Sequence, residues 1–564
     1  MGDGGHAAAE ERWRAPLLVA AGVLLLLATR ACHPIAGLGN ADIAGIFYEA
    51  DLIVGGGVPY VDTIDMKSPG TFFLLAGVFA GLGRELWCVE VAYVLWTALA
   101  GPAIWVAARA LYGQRDTAAL AVLLYLGWIG TFDYNYSGWM TPAYAWAFAC
   151  LIAAVRWQKW WLHLLAGVCA ALALALKGQS LVLAPVFAGV WLWGRRRGEP
   201  GATWSAWPLW IAGAGLGLAP LIAWYAAHGA TRELAMALVP IGVAREYTSR
   251  AQSDDLWILK TWRIPWQHMR VFPLHSLLFG AVLVGAWWRR QERKRGDVPE
   301  DSSVPATRPD GPEFSAPLVP QLLFWAMSVV GCGLGGWRFY IHYLTQYMPA
   351  LALIAVHPLG LAWWLRRRPR WGAGLLVVTA VTCLILIVRI PLGYAQNVDF
   401  RGNKQAAKIG AYIKERTRPD ETILVWGWTA WSTYYHAERR SPSAIFKVLG
   451  QATEYNQNGM FTRSRATNFK KGPMADRLLA DVRRAPPAYI IKTPVFFPGA
   501  KRDPMTQWPA MMRFFRTNYV LVEKFGKIRV YEFKARRGEA EAAVEEPEAE
   551  VPARGDSEAD SDEG

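Results

Sequence analysis

The chain has 564 residues, of which 53% are hydrophobic and only 18% are charged, and 30 of them are tryptophans. Its apolar runs are too long and too frequent for a soluble core, so most of the chain is expected to lie in a membrane. The formal net charge of +14 does not indicate nucleic-acid binding, because the arginines cluster beside apolar runs and no aromatic–basic interleaving occurs.

The first apolar run, 15–29, follows two arginines, Arg12 and Arg14. A secretory signal peptide begins in the same way. Residues 30–34, which follow the run, lack the small-x-small pattern of a cleavage site. We therefore expect an uncleaved first span, with the N-terminus in the cytoplasm and the next loop outside.

Charged residues are concentrated between Gly37 and Thr71, among glycines and prolines. They are Asp42, Glu49, Asp51, Asp62, Asp65 and Lys67. A solvated loop between two helices would explain them, but several carboxylates and one lysine on an amphipathic stretch at a membrane surface favour a functional site. The next apolar run, 70–82, has about 13 residues, fewer than the ~20 that cross a bilayer. We expect a helix in the outer interface there, which closes a first outer loop over 34–85.

After this loop, apolar runs alternate with arginine clusters. Further spans are predicted at 86–110, 117–131, 140–155, 161–176, 181–193, 209–228, 275–288, 318–335, 343–365 and 372–390. Together with the first they make about eleven spans. The three densest arginine clusters then all fall on the inside, as the positive-inside rule requires. If 70–82 also spanned the membrane, every later cluster would be inverted.

Pattern and composition divide the chain into four parts. Residues 1–392 are the predicted transmembrane catalytic domain, and a charged, proline-rich cytoplasmic linker interrupts it at 291–317. Residues 393–536 alternate helical and strand-like patterns, which predicts a small α/β domain outside the membrane. Its expected elements are helices at 404–416 and 473–484 and strands at 422–426, 488–492, 519–522 and 528–533. Residues 537–564 form an acidic, low-complexity tail that is expected to be disordered.

The predicted topology brings polar residues from several span ends to the outer membrane face. They are Asp42, Asp62, Asp65, Lys67, Asp133, Lys177, Arg338, His342 and Tyr343. Structural roles are alternatives for several of them: Lys177 could snorkel and Arg338 could anchor at the interface. Asp133 could cap a helix and His342 could be a packed core residue. Taken together, these residues suit a transfer in which cations hold a phosphate leaving group and a carboxylate is the general base for an acceptor hydroxyl.

The order of residues in the first outer loop resembles a known family. Asp42, Tyr48, the stretch Gly57-Val58-Pro59-Tyr60, Asp62 and Lys67-Ser68-Pro69 are similar to that loop in the dolichyl-phosphate-mannose–protein mannosyltransferase-like family. Its bacterial relatives include the lipid A aminoarabinose transferases. Residues 338–343 with Pro349 resemble the arginine/histidine–tyrosine stretch before a late span, and 417–428 resembles the strand entry of the family's outer α/β domain.

The resemblance implies a C-type glycosyltransferase fold, namely a polytopic α-helical membrane protein with a C-terminal extracytoplasmic α/β domain. It implies that Asp42 is the general base, that Lys67 contacts the donor lipid phosphate, and that Lys177 and Arg338 are further phosphate contacts. Two departures concern the motifs themselves. Asp42 is followed by Ile43, where the family often has Asp-Glu, and Ser68 replaces the first proline of Lys-Pro-Pro.

The implied activity is transfer of a sugar from a polyprenyl-phosphate donor to a lipid, glycan or protein acceptor, with inversion at the anomeric carbon. The site would face outward from a bacterial cytoplasmic membrane. A diphosphate-linked donor is a variant of this hypothesis. A transporter or flippase of lipid-linked sugars is a different class, disfavoured because no internal repeat is found and the polar residues lie at span ends. An inactive membrane protein that binds cell-wall polymer is a third.

No cofactor is firmly predicted. The six cysteines lie in or beside apolar runs without the spacing of a metal site, and they are expected to be small core residues. The sequence Asp62-Thr63-Ile64-Asp65 is compatible with a divalent cation held through oxygens, although such spacing is common by chance. A phosphate leaving group needs neutralising charge more than a metal, and lysine and arginine supply it.

Overall fold

The computed structural model describes residues 3–31, 38, 41–65, 67–130, 135–238, 269, 271–295, 317–334, 341–397, 400–427, 431–448, 451–453, 468–493 and 503–537. Sixteen α-helices precede the C-terminal domain in this part of the chain. They are α1 (Asp3–Ala31), α2 (Ala41–Val54), α3 (Gly70–Leu82), α4 (Leu86–Ala98), α5 (Ala100–Tyr112), α6 (Arg115–Ile129), α7 (Tyr136–Trp157), α8 (Trp160–Leu176), α9 (Leu183–Arg197), α10 (Ala206–Ala227), α11 (Thr231–Leu238), α12 (Pro273–Lys294), α13 (Val319–Leu334), α14 (Met348–Ala355), α15 (Leu361–Arg367) and α16 (Pro369–Asn397). Two 3₁₀ segments, Gly178–Val182 and Ile341–Tyr347, connect helices near one end of the bundle.

Helix α7 lies at the centre of the bundle, because nearly all of its residues are buried. Many of its buried residues are alanines, whose small side chains let neighbouring helices approach closely. Helices α8 and α10 also approach each other closely, at glycines. A Cβ atom on Gly167 would clash with the carbonyl of Trp210, and one on Gly213 would clash with the carbonyl of Leu164. Small residues therefore set the spacing of the bundle.

Four segments within the described ranges are long and apolar enough to cross a membrane: Trp13–Arg30, Leu86–Tyr112, Tyr136–Trp157 and Ala206–Ala227. Shorter apolar helices are Gly70–Leu82, Trp160–Leu176, Val319–Leu334 and Pro369–Ile385. The chain is thus an α-helical, membrane-embedded protein, as its composition indicates, whereas the count of about eleven spans remains a prediction. The short helix expected at 70–82 is confirmed with the same bounds.

One predicted span is not a continuous helix. The segment 343–365 is divided into the second 3₁₀ segment, α14 and α15. Two prolines explain the interruptions, because proline has no N–H to donate and fits only the first turn of a helix. Pro349 stands at the start of α14, and Pro358 follows its end. His357 Nδ1 accepts a hydrogen bond from Leu359 N at 3.1 Å, which satisfies a backbone donor in the break.

Ion pairs join helix ends that the sequence predicts to lie on the cytoplasmic side. Arg156 at the end of α7 bonds Glu199, after α9, at 2.5 Å, and its Nε donates to the carbonyl of Ala110 at 3.2 Å. Arg368 lies 3.7 Å from Glu292 of α12. The structure therefore gathers at one end of the bundle several helix ends that carry arginine.

The C-terminal domain is an α/β unit, as the alternating pattern predicts. Its elements are α17 (Phe400–Arg416), β1 (Ile423–Trp426), α18 (Ser432–Ala437), α19 (Pro473–Arg484), β2 (Tyr489–Lys492), α20 (Pro509–Asn518), β3 (Tyr519–Phe525), β4 (Ile528–Phe533) and α21 (Lys534–Arg537). The sheet order is β1-β2-β4-β3. β1 and β2 are parallel, and the other two pairs are antiparallel. Gly526, at φ 60°, permits the tight turn between β3 and β4.

Several predictions fall on other parts of the chain. Asp133, Arg338, most of the linker and the acidic tail after residue 537 lie outside the described residues. The first residues of the predicted linker belong to α12, which ends at Lys294. The boundary predicted after residue 392 falls inside α16, which ends at Asn397. The division into domains otherwise stays a prediction.

The gathering of arginine-bearing ends predicts their sidedness. Single cysteines introduced at Arg196 and Arg368 should be protected from a membrane-impermeant thiol reagent in intact cells. A cysteine at Glu415, which is exposed on α17 of the α/β domain, should react. Labelling at position 368 from outside would invert the topology and place the polar site on the wrong face.

Candidate active site

Helix α2 lies between the membrane bundle and the α/β domain, and it buries one apolar face against each. Ile43, Ile46 and Phe47 pack with residues of α3 such as Phe72 and Phe79. On a second face, Ala44 and Tyr48 pack with residues of the α/β domain, where the Tyr48 ring stacks on Phe446 at 4.0 Å between centroids. Asp42 and Glu49 are seven residues apart, or about two turns, and therefore share a third face.

Two lysines from separate segments approach this third face. Lys67 Nζ lies 3.7 Å from Asp42 Oδ1 and 5.2 Å from the centre of the Tyr136 ring. Lys177 Nζ lies 4.1 Å from the centre of the Tyr343 ring and donates to the Ser137 hydroxyl. The structure therefore brings together five of the residues that the sequence analysis singles out. They are Asp42, Lys67, Lys177, His342 and Tyr343.

The segment Lys67-Ser68-Pro69 has a structural role that its sequence alone does not show. Ser68 Oγ accepts a hydrogen bond from Gly178 N at 2.9 Å. Thr71 Oγ1 donates to the carbonyl of Leu176 at 3.1 Å, and a Cβ on Gly70 would clash with the backbone of Ala175. The start of α3 is thus fixed against the end of α8, which places Lys67 and Lys177 on the same side of the site. A proline at position 68 could not accept this bond, because its side chain has no oxygen.

Asp42 is surrounded by positive charge but stays accessible. Burial alone would raise the pKa of its carboxyl group. Lys67, His342, Lys447 and Lys177 together outweigh that effect, so the pKa lies below its ordinary value. The side chain is 36% exposed, which leaves room for an acceptor to reach it. Asp42 is therefore a carboxylate at neutral pH, the form that a general base requires.

Glu49, on the same face of α2, has the opposite environment. Its side chain is buried, and its Oε2 accepts a hydrogen bond from Thr63 Oγ1 at 2.8 Å. Its Oε1 has no hydrogen-bond partner among the described residues. Burial raises the pKa of Glu49 to about 8, with a further contribution from the charge of Asp65. Glu49 is therefore a neutral acid at neutral pH.

The two aspartates of the predicted cation motif are bound by donors of the chain itself. Asp62 Oδ2 accepts a hydrogen bond from Val58 N at 2.7 Å, which closes the Gly-Val-Pro-Tyr turn. Asp65 Oδ1 accepts one from Lys67 N at 3.2 Å, and Asp65 Oδ2 pairs with Lys447 of the α/β domain. Within the ranges that the structure describes, no group of three or more His, Cys, Asp or Glu side chains could hold a metal ion.

Two residues of this site are absent from the predicted set at the outer face, namely Glu49, which appears only among the charged residues of 37–71, and Lys447. Glu49 could have been found from its spacing, because position 49 follows Asp42 by about two helical turns. Lys447 carries no comparable signal, since it is a single lysine on a distant loop of another domain. Asp133 and Arg338, which the sequence analysis did identify, lie outside the described residues.

A separate polar groove of about 510 Å³ lies on the opposite side of α2. Among its lining residues are Asp51, Arg84, Glu438 and Arg440. Arg84 pairs with Asp51 at 3.1 Å and with Glu438 at 3.7 Å. Arg84 therefore pairs with two of the acidic residues that line this groove, and none of the five residues brought together at Asp42 lines it.

Comparison with known proteins identifies the fold. No family model matches the sequence, and no curated protein matches it. The structure is similar to that of ArnT from Cupriavidus metallidurans bound to undecaprenyl phosphate, with a TM-score of 0.51 and 13% sequence identity over 91% of this chain and 97% of that one. Apo ArnT gives a TM-score of 0.54 with 12% identity over 93% and 98%. The chain thus has the C-type glycosyltransferase fold of ArnT, and the resemblance inferred from short motifs is confirmed at the level of the fold.

The environment of Glu49 predicts a pH-dependent stability. In the unfolded chain Glu49 loses its proton near its ordinary pKa of 4.5, whereas in the folded chain it keeps the proton up to about pH 8. The folded state therefore binds more protons between these values, and the stability falls as the pH rises through them, by at most about 1.4 kcal/mol per pH unit.

Glu49→Gln removes this dependence and retains an oxygen that can accept from Thr63. Thermal unfolding of the detergent-solubilised parent and variant should give similar Tm values near pH 5. The variant should become progressively more stable than the parent as the pH approaches 8. Parallel Tm curves for the two proteins over this range would mean that Glu49 is ionised in the folded state.

Proposed function

We propose that this protein is a membrane glycosyltransferase that moves a sugar from a polyprenyl-phosphate donor to an acceptor, with Asp42 as the general base. The observation that carries the proposal is the placement of Asp42 beside Lys67, with Lys177 fixed next to them by the Ser68–Gly178 contact. A fold shared with ArnT, one structure of which contains undecaprenyl phosphate, supports a donor of the same chemical class.

The arrangement suits substitution at an anomeric carbon. The acceptor oxygen attacks that carbon and gives its proton to the Asp42 carboxylate. The bond between the carbon and the phosphate oxygen breaks, and the lipid phosphate leaves with the electron pair. Lys67 and Lys177 stabilise the charge that develops on this phosphate, as cations placed at a leaving group do. Attack from the side opposite the phosphate gives inversion, which agrees with the sequence resemblance.

The location of the site supports a lipid-linked donor. The polyprenyl chain would lie in the bilayer, while its phosphate would lie at the interface, level with the ends of the helices. Lys177 directly follows α8, and Lys67 lies three residues before α3. Arg338 stays a predicted additional phosphate contact, since it lies four residues before His342, which belongs to the site.

The arginine-bearing helix ends favour an orientation in which this site faces outward from the cytoplasmic membrane of a bacterium. In that orientation the α/β domain, which packs on α2, also lies outside. The acceptor is then a hydroxyl-bearing lipid, glycan or protein segment that approaches Asp42 from the aqueous side.

Asp42→Asn tests the base. Asparagine keeps the size and hydrogen bonding of the side chain but cannot take the proton, so turnover should fall by about 10²- to 10⁴-fold. Binding of undecaprenyl phosphate should persist, because Asp42 does not hold the phosphate. Turnover is measured as the release of free lipid phosphate from a panel of radiolabelled polyprenyl-phosphate sugars.

Asp51→Asn is the matched control, since Asp51 lies on the opposite face of the same helix and pairs with Arg84 at 3.1 Å. Its turnover should stay within a few-fold of the parent. If Asp42→Asn behaves like Asp51→Asn at equal expression, Asp42 is not the base, and Asp62 and Asp65 become the next carboxylates to test.

Lysine substitutions test the phosphate site. They should weaken the binding of the lipid, which Asp42→Asn leaves intact. Lys67→Ala and Lys177→Ala should each weaken the binding of undecaprenyl phosphate roughly 10- to 100-fold, because a hydrogen bond to a charged group contributes about 1.5–3 kcal/mol. Binding is measured by titrating the lipid into purified protein. Lys414→Ala, which removes an exposed lysine paired with Glu438, should bind as the parent does. Unchanged binding in both site variants would place the phosphate elsewhere.

A further inference from the structure

One loop of the α/β domain, residues 440–447, contacts the first outer loop at several points. Ile64 N donates to the carbonyl of Ala444 at 2.8 Å, and Ser441 N donates to the Tyr48 hydroxyl at 3.0 Å. Arg440 donates to the carbonyl of Gly55 at 3.2 Å. The α/β domain is therefore hydrogen-bonded at three points to the segment between Asp42 and Lys67.

Lys447 ends this loop and extends across α2. Its ammonium group pairs with Asp65, and the two side chains are only 12% and 5% exposed. It passes so close to the helix backbone that a Cβ atom on Gly45 would clash with its Cε and Nζ. Gly45 stands between Asp42 and Glu49 along α2. The ammonium group thus lies between the two carboxyl groups of that face.

Asp65 connects Lys447 to the proposed phosphate site. Its Oδ2 binds the Lys447 ammonium group, while its Oδ1 accepts from the backbone N–H of Lys67 at 3.2 Å. The Tyr60 hydroxyl donates to the carbonyl of Lys67. The backbone of Lys67 is therefore held on both sides, and its side chain is directed toward Asp42 at 3.7 Å.

We propose that Lys447 is a positioning residue of the active site, through which the α/β domain holds Lys67 and Asp42 in their working arrangement. This inference rests on the proposed function for its effect on turnover. Lys447 acts on Lys67 through Asp65, and on Asp42 through its charge across Gly45. The domain outside the membrane bundle is then a part of the catalytic unit.

The charges around Lys447 are consistent with this role. Asp65 forms the ion pair with Lys447, whereas burial keeps Glu49 protonated at neutral pH. If Glu49 were also ionised, its charge would offset the field of Lys447 at Asp42. The groups that act on Asp42 from the surrounding elements are Lys67, His342, Lys447 and Lys177.

Two variants test the proposal in the full-length protein in detergent. Lys447→Met removes the charged nitrogen and keeps the rest of the unbranched side chain. Gly45→Ala retains the charge of Lys447 but displaces the end of that side chain. It also favours the helical conformation of α2, because alanine is a better helix former than glycine. The control is Lys492→Met, which removes another largely buried ion pair of the same domain, with Asp503 at 2.8 Å.

The first readout is hydrogen exchange in a peptide that covers residues 61–70, which needs no activity. Lys447→Met and Gly45→Ala should both exchange faster there, and Lys492→Met should match the parent. The second readout is the pH dependence of turnover. Lys447→Met should lower turnover about 10-fold or more, because misplaced catalytic groups cost at least this much. It should also shift the acid limb of the pH–rate profile to higher pH, since the pKa of Asp42 rises when a neighbouring cation is lost.

The outcomes separate the two proposals. Unchanged exchange in both Lys447→Met and Gly45→Ala overturns the positioning role, whether or not the parent transfers a sugar. Faster exchange with a parent that is inactive on every donor supports the contact and overturns the transferase. An active parent together with a Lys447→Met variant whose turnover and acid limb match those of Lys492→Met overturns the positioning role alone.

Discussion

A short amphipathic helix at a membrane surface has to cover apolar residues on more than one side, and this constraint shapes the whole site. Helix α2 places one apolar face on α3 and another on the α/β domain. Polar groups take the rest of its surface: Asp42 and Glu49 share one face, while Asp51 lies on the opposite one and pairs with Arg84. The docking of the α/β domain is therefore required for the burial of α2, and this packing brings Lys447 to the face that carries Asp42.

The two carboxyl groups on the face of Asp42 and Glu49 show how the environment gives chemically similar groups different pKa values. Asp42 is partly exposed among lysines, which lowers its pKa, whereas Glu49 is buried, which raises its pKa to about 8. A carboxylate that can take a proton and a neutral acid that leaves the local charge undisturbed thus lie about two turns apart on one helix. The separation depends on position alone, since both residues belong to the same element.

Local pattern predicted much of the fold and several residues that the structure brings together at the candidate site. The helices at 70–82 and 473–484 and the strand at 528–533 have the predicted bounds. Each is a compact apolar or amphipathic run, and a glycine or proline lies at or just before its start. The sequence grouped Asp42, Lys67 and Lys177 because spans that end on the same side of the membrane bring their ends to one face. The break after α14 was missed, since hydropathy does not register that Pro358 interrupts a helix. Lys447 was missed because its contact with Asp65 joins residues 382 positions apart, and only the docking of two domains brings them together.

The contacts that hold the candidate site together use few side chains. The backbone of Lys67 is held by Tyr60 and Asp65, and its neighbour Ser68 binds the backbone of Gly178. Such contacts require a lysine at this position beside Asp42 but allow the residues that flank it to vary. Ser68 is one such flanking residue, and its hydroxyl binds the backbone just after α8, which a proline could not do. Each of the three parts that meet at α2, namely the outer loop, the bundle and the α/β domain, contributes one lysine to the field at Asp42. The full field therefore exists only in the assembled protein, and neither the bundle nor the α/β domain would contain it alone.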